Sequence, residues 1–134
     1  MRSDLLSALA EELLEVIRSN SVITYGDLSR RFRDRYGEEV SPRAWRAPLG
    51  DLSGICMDNG FPAISVVVVN KDTGLPGEGF FDFVGRHRTG ALVPANQWEA
   101  FWEEQKRLAY TWDQWARLPA LLSETKKGRR QLED

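Results

Sequence analysis

The chain has 134 residues, of which 42% are hydrophobic, with five tryptophans and a formal net charge of −2. That size and apolar content suit one domain with its own core and exclude disorder except at the ends. Acidic residues run through the apolar N-terminal positions and there is one cysteine, Cys56, so no signal peptide, membrane span or intrachain disulfide is expected and a cytoplasmic protein is.

Leu5, Leu6, Leu9, Leu13, Val16 and Ile17 recur at helical spacing. They predict a helix from about Ser3 to Ser19, docked by one apolar stripe, with Glu11, Glu12 and Glu15 on its other face. Ser19-Asn20-Ser21 breaks it. A second helix follows, capped by Thr24 with Asp27 in the capping-box position. Its Leu28 and Phe32 face inward, its arginines outward, and Gly37 ends it. Ser41-Pro42 is a start signal for a third helix, a hydroxyl cap before proline. Trp45, Leu49, Leu52 and Cys56 share its buried face, Pro48 falls early enough for the first turn to absorb it, and Asn59-Gly60 stops it.

The β-branched run Ile64 to Val69 predicts a buried strand, and Asn70 to Gly74 a turn. Gly79 to Val84 is expected to return as the second strand of a hairpin, with Gly85 to Gly90 as a loop. From about Pro94 a last helix carries Trp98, Phe101, Trp102, Gln105, Leu108 and Ala109, and Tyr110, Trp112, Trp115 and Leu118 prolong it past a bend. Residues 1–122 then form a single α+β domain and 123–134 a polar tail expected to fray. The order of helix, arginine-bearing helix and hairpin wing is that of a winged helix-turn-helix, with an N-terminal helix and an aromatic C-terminal helix added.

Three short motifs between Ile23 and Gly74 support this. Ile23-Thr24-Tyr25-Gly26-Asp27-Leu28 resembles the T-Y-G-x-hydrophobic opening of the winged-helix domain of O6-alkylguanine-DNA alkyltransferases and alkyltransferase-like proteins. Pro42-Arg43-Ala44-Trp45-Arg46-Ala47 resembles the P-x-A-x-R-A start of that family's recognition helix, and Pro62 with Ala63-Ile64-Ser65-Val66-Val67 stands where it has P-C-H-R-V-V. The resemblance implies that Tyr25 sits against a phosphate and that Arg46 fills the space left by a flipped base. The reactive cysteine of the family is Ala63 here, and its histidine and arginine are Ile64 and Ser65. Alkyl transfer by that route is therefore excluded, and no enzyme activity is expected.

Charge distribution favours nucleic acid more than the net charge does. Six arginines lie between Arg30 and Arg46, against Asp34, Glu38 and Glu39, and Lys126-Lys127 with Arg129-Arg130 forms a second basic cluster that is equally well solvated surface. Arg43 and Arg46, three apart near a helix N-terminus, suit a phosphate or a base edge. Arg30, Arg31 and Arg33 would face phosphates and Lys71 would lie on the wing. Tyr25 is either a phosphate contact or a core aromatic over Phe32. One cysteine and one histidine cannot make a usual zinc site, and Cys56 shares an apolar face, so no metal, cofactor or nucleophile is expected. The expected function is non-catalytic binding of duplex DNA, with a modified or damaged base as the possible target. The alternative is a protein-interaction module, an accessory or inhibitor of a nucleic-acid enzyme of the kind a phage or mobile element encodes, whose partner would grip Trp98, Trp102, Trp112 and Trp115.

Overall fold

The computed structural model describes residues 5–124; the helix start at Ser3, the Lys126–Arg130 cluster and most of the expected tail lie outside the described residues. Within them the fold is mostly helical, with one small parallel sheet. In chain order it runs α1 (Leu5–Arg18), β1 (Ile23–Thr24), α2 (Tyr25–Tyr36), a 3-10 turn (Pro42–Trp45), α3 (Arg46–Asp58), a second 3-10 turn (Ile64–Val67), β2 (Val68–Val69), α4 (Glu78–Thr89), a third turn (Ala95–Gln97) and α5 (Trp98–Thr111). The chain bends at Trp112, turns again over Trp115–Arg117 and is helical over 118–124. No described helix is long and apolar enough to cross a membrane.

The caps of α2 operate as expected, but the Ser41 hydroxyl makes no cap hydrogen bond and Pro42 opens a 3-10 turn, so α3 begins at Arg46. The Thr24 hydroxyl accepts the Asp27 N–H at 3.1 Å, and Gly37, at φ 67°, closes α2 in the left-handed conformation that glycine adopts without penalty. Pro48 falls in the first turn of α3, where backbone N–H groups have no intrahelical acceptor, so its missing donor costs nothing. Trp45, Leu49, Leu52 and Cys56 are all buried, and the Trp45 indole donates to Ser29 Oγ at 2.9 Å, locking α3 onto α2.

α1 departs from a one-stripe helix. Nine of its residues are buried, including Glu12 at 3% exposure, because α1 packs against α3, α5 and the Ile64–Val67 turn together. Its carboxylate accepts from Arg35 at 2.8 Å and from the Tyr36 hydroxyl at 2.9 Å, with Arg31 Nη1 at 3.7 Å. Burial of a carboxylate is tolerable only with such partners.

The hairpin wing is not formed. Ile64 to Val67 coils into a 3-10 turn and only Val68 and Val69 are strand; they pair in parallel with Ile23 and Thr24 rather than with the following segment. Every residue from Phe61 to Val69 is buried. A run apolar on all sides carries no period, so it marks burial without choosing between strand and helical turn. The expected return strand over Gly79 to Val84, and the loop after it, form the helix α4 instead. Phe80, Phe81 and Val84 make its buried face, Arg86, His87 and Arg88 complement the dipole of its last turn, and Gly90 at φ 80° caps it by donating to the Arg86 carbonyl at 2.9 Å.

Gly85 is where α4 meets the chain that returns beneath it. A Cβ on Gly85 would lie 2.7 Å from Val93 Cγ2 and 3.4 Å from the Ala91 carbonyl oxygen. Gly85→Ala is expected to lower stability by about 1–2 kcal/mol despite alanine's better helix propensity, because overpacking a rigid site costs about 1–3 kcal/mol. Adding Val93→Ala should restore most of it; chemical denaturation of both variants checks this, and an undiminished midpoint for Gly85→Ala alone would refute it.

Candidate nucleic-acid interface

α2, α3 and α4 enclose an open cleft of about 1710 Å³. The start of α2 forms one end, where Tyr25 is half-buried against the core and its hydroxyl accepts the Gly77 N–H at 3.0 Å. This bond ties the start of α2 to the start of α4 across 52 residues. Tyr25 thus packs on the core and borders the cleft at once. Arg43 and Arg46 stand at the next edge. The junction of the 3-10 turn with α3 falls between them, and residues three apart eclipse in a 3-10 turn, so both border the same cleft. Arg46 extends across Gly79 at the start of α4: a Cβ there would lie 3.2 Å from Arg46 Nε. Lys71 reaches the cleft from the loop after β2, which the Asn70 side chain folds by accepting the Asp72 N–H at 2.8 Å. That loop leads into α4, so Lys71 is not on a wing.

Of the other expected contacts, Arg30 borders the cleft while paired with Asp27. Arg31 and Arg33 do not border it. Arg31 turns inward to Glu12, and Arg33 lies 3.7 Å from its neighbour Asp34. Two further residues of the cleft, Phe83 and Arg86, lie on α4, where the sequence reads Phe83 as strand and Arg86 as part of an exposed basic loop able to touch phosphate. The helical spacing of Phe80, Phe81 and Val84 would have revealed them, since on that wheel Phe83 falls off the buried face.

Five basic side chains have no partner among the described residues: Arg18, Arg43, Arg46, Lys71 and Arg86; the last four border the cleft. The remaining described arginines and lysines have partners, such as Arg107 with Glu104 at 2.6 Å and Arg88 with the Phe61 carbonyl at 3.1 Å. The cleft also holds carboxylates. Asp58 lies 3.6 Å from His87 Nε2 on α4, while Asp51, Glu78 and Asp82 pair with no described base. No group of three His, Cys, Asp or Glu residues among the described ones could hold a metal ion.

Cys56 lies in the core behind α3, and burial pushes its thiol up to about 12. A native protein is therefore expected to resist a thiol reagent at pH 8 that labels it at once in denaturant; labelling of the native state at the denatured rate would contradict this. The sign of the linkage is that of a raised pKa: the thiol's contribution is intact below its ordinary value of 9.0 and lost as pH rises from there toward about 12.

The aromatic side chains of the C-terminal segment pack mainly on the core. Trp102 and Trp115 are buried, donating to the Val66 and Ala109 carbonyls at 2.8 Å each. Trp98 is half-buried, stacked on Phe81 at 4.4 Å between centroids, and Trp112 lies against Phe61 at 5.5 Å. Their area is spent on the core. Compared with known proteins, the chain matches no family model, no curated protein and no solved structure.

Proposed function

We propose that this chain is a non-catalytic DNA-binding protein that receives its ligand at the cleft between α2, α3 and α4. The observation that supports this best is the placement of the unpartnered cations among the described residues, four of five at one concave site. Surface arginines usually find carboxylates; leaving four without them beside a cleft suits phosphate, which binds by displacing counterions. In this reading α2 and α3 act as the helix-turn-helix pair, Arg43 and Arg46 meet the DNA at the start of α3, and Arg86 and Lys71 hold flanking phosphates. The loop from Asn70 and α4 take the place of a wing. The likeness to alkyltransferase-like proteins adds Tyr25 as a phosphate contact, Arg46 as the group that replaces a displaced base, and a modified base as the target. With alanine at position 63, such a base would be sensed and left unrepaired.

The test is fluorescence anisotropy of labelled duplexes, unmodified and carrying an alkylated guanine, across a salt series. Four phosphate contacts give a slope of log affinity on log salt of about −3.6, at about −0.9 per contact. Binding with a slope of that order supports the proposal, preference for the modified duplex extends it to base sensing, and no binding at low salt refutes it.

A further inference from the structure

Phe83 stands at the seam of α3 and α4. It is 45% exposed, whereas Phe80 and Phe81 on the same helix are buried, and it is the one aromatic side chain of the described residues left this open. Its ring stands at the cleft with its tip against α3: a Cβ on Gly54 would lie 3.4 Å from Phe83 Cζ. On the same wall of α3, Ala47 has only a methyl group and a Cβ on Gly50 would meet nothing within 4 Å. A half-exposed aromatic ring thus stands beside the small residues Ala47, Gly50 and Gly54 of α3, with Asp51 and Ile55 on the same helix and unpartnered cations bordering the cleft.

We infer that Phe83 is a platform on which one nucleobase already left unpaired in duplex DNA stacks inside the cleft; this rests on the DNA-binding role proposed above. Every base offers a π-face, and stacking on an aromatic side chain is worth about 1–3 kcal/mol by alanine substitution. The mixed charge of the cleft separates this occupant from simpler ones. Asp51, Glu78 and Asp82 would repel an acidic peptide. A nucleotide brings both signs: ring and exocyclic N–H groups that a carboxylate accepts, and a phosphate for Arg43, Arg46 or Arg86.

The experiment compares three labelled DNAs, a fully paired duplex, the same duplex with one unpaired base, and the single strand, against wild type, Phe83→Ala, Phe83→Leu and Phe83→Trp. Phe83→Ala should weaken binding to the duplex with the unpaired base about 5- to 150-fold, the equivalent of that stacking energy. The fully paired duplex should change less than about twofold, and the salt slope should stay the same, because no phosphate contact is removed. Phe83→Trp should bind at least as tightly as wild type. Phe83→Leu, which keeps an apolar side chain without the ring, should behave like alanine, and it serves if the alanine variant fails to fold. Equal weakening on both duplexes, no effect on either, or binding confined to the single strand would overturn the inference. Loss of binding on Arg43→Ala and Arg46→Ala with none on Phe83→Ala would overturn this inference alone; absence of all DNA binding would overturn the DNA-binding role with it.

Discussion

Replacing Arg43 and Arg46 together by alanine is expected to weaken duplex binding about 25-fold at low salt and to halve the salt slope. Neither guanidinium has a protein partner among the described residues, so both can be removed without orphaning a carboxylate in the fold. An exposed charge-assisted contact to phosphate is worth about 1 kcal/mol, and two such contacts give the stated factor at 1.4 kcal/mol per tenfold. The slope falls from about −3.6 to about −1.8, since two of four counterion-releasing contacts are gone. Reduced affinity with an unchanged slope would mean that the two arginines act through the shape of α3, and the phosphate role would be wrong. As a control, Arg33→Ala, away from the cleft, should leave both quantities within experimental scatter.

Removing the carboxylate of Glu12 is expected to cost about 2–3 kcal/mol of folding stability, the largest effect of any single polar substitution proposed. Breaking a buried ion pair from one side costs about 3–5 kcal/mol, and the figure is lower here because the Arg35 guanidinium, 46% exposed, keeps part of its hydration. Arg31 Nη1, buried and without a hydrogen bond, has the Glu12 carboxylate 3.7 Å away and would be left with it gone. Urea denaturation of Glu12→Ala measures the loss; Glu12→Gln, which keeps an acceptor for Tyr36, should lose less. A related acid dependence follows from Glu15, whose carboxyl is held below its ordinary 4.5 by the hydrogen bond and charge of Arg35. A lowered carboxylate pKa stabilises fully above the unfolded value and loses that contribution as pH falls through the folded one, so stability should decline below about pH 4.5 and Glu15→Gln should flatten the decline.

Helices α1, α2, α3 and α5 were legible because local chemistry and packing agree there: a 3.6-residue period inside, with Thr24 and Gly37 at the ends of α2. Where they disagree the sequence misleads. Phe81-Asp82-Phe83 alternates like a strand, and Gly77 and Gly79 weaken a helical reading, yet the burial of Phe80, Phe81 and Val84 decides for α4. Glu12 reads as a solvent-facing carboxylate on a helical wheel, because the groups that allow its burial, Arg35 and Tyr36, lie 23 and 24 residues along the chain. The site follows the same division. Tyr25, Arg30, Arg43, Arg46 and Lys71 do gather at one cleft. Arg31 follows Arg30 by one helical step, a rotation of about 100°, which turns it toward α1. The place of Phe83 and Arg86 at the cleft was hidden by the same misreading that hid α4.

The segment from Phe61 to Val69 has one more consequence. It is buried along its whole length, and its turn is wedged against α1, α3 and α5 at once. No helix of that trio can detach without opening the turn to water, and β2, which continues it, holds β1 at the entrance to α2. The polypeptide is therefore built to melt as a single cooperative unit, with little room for a partly unfolded state that keeps its cleft.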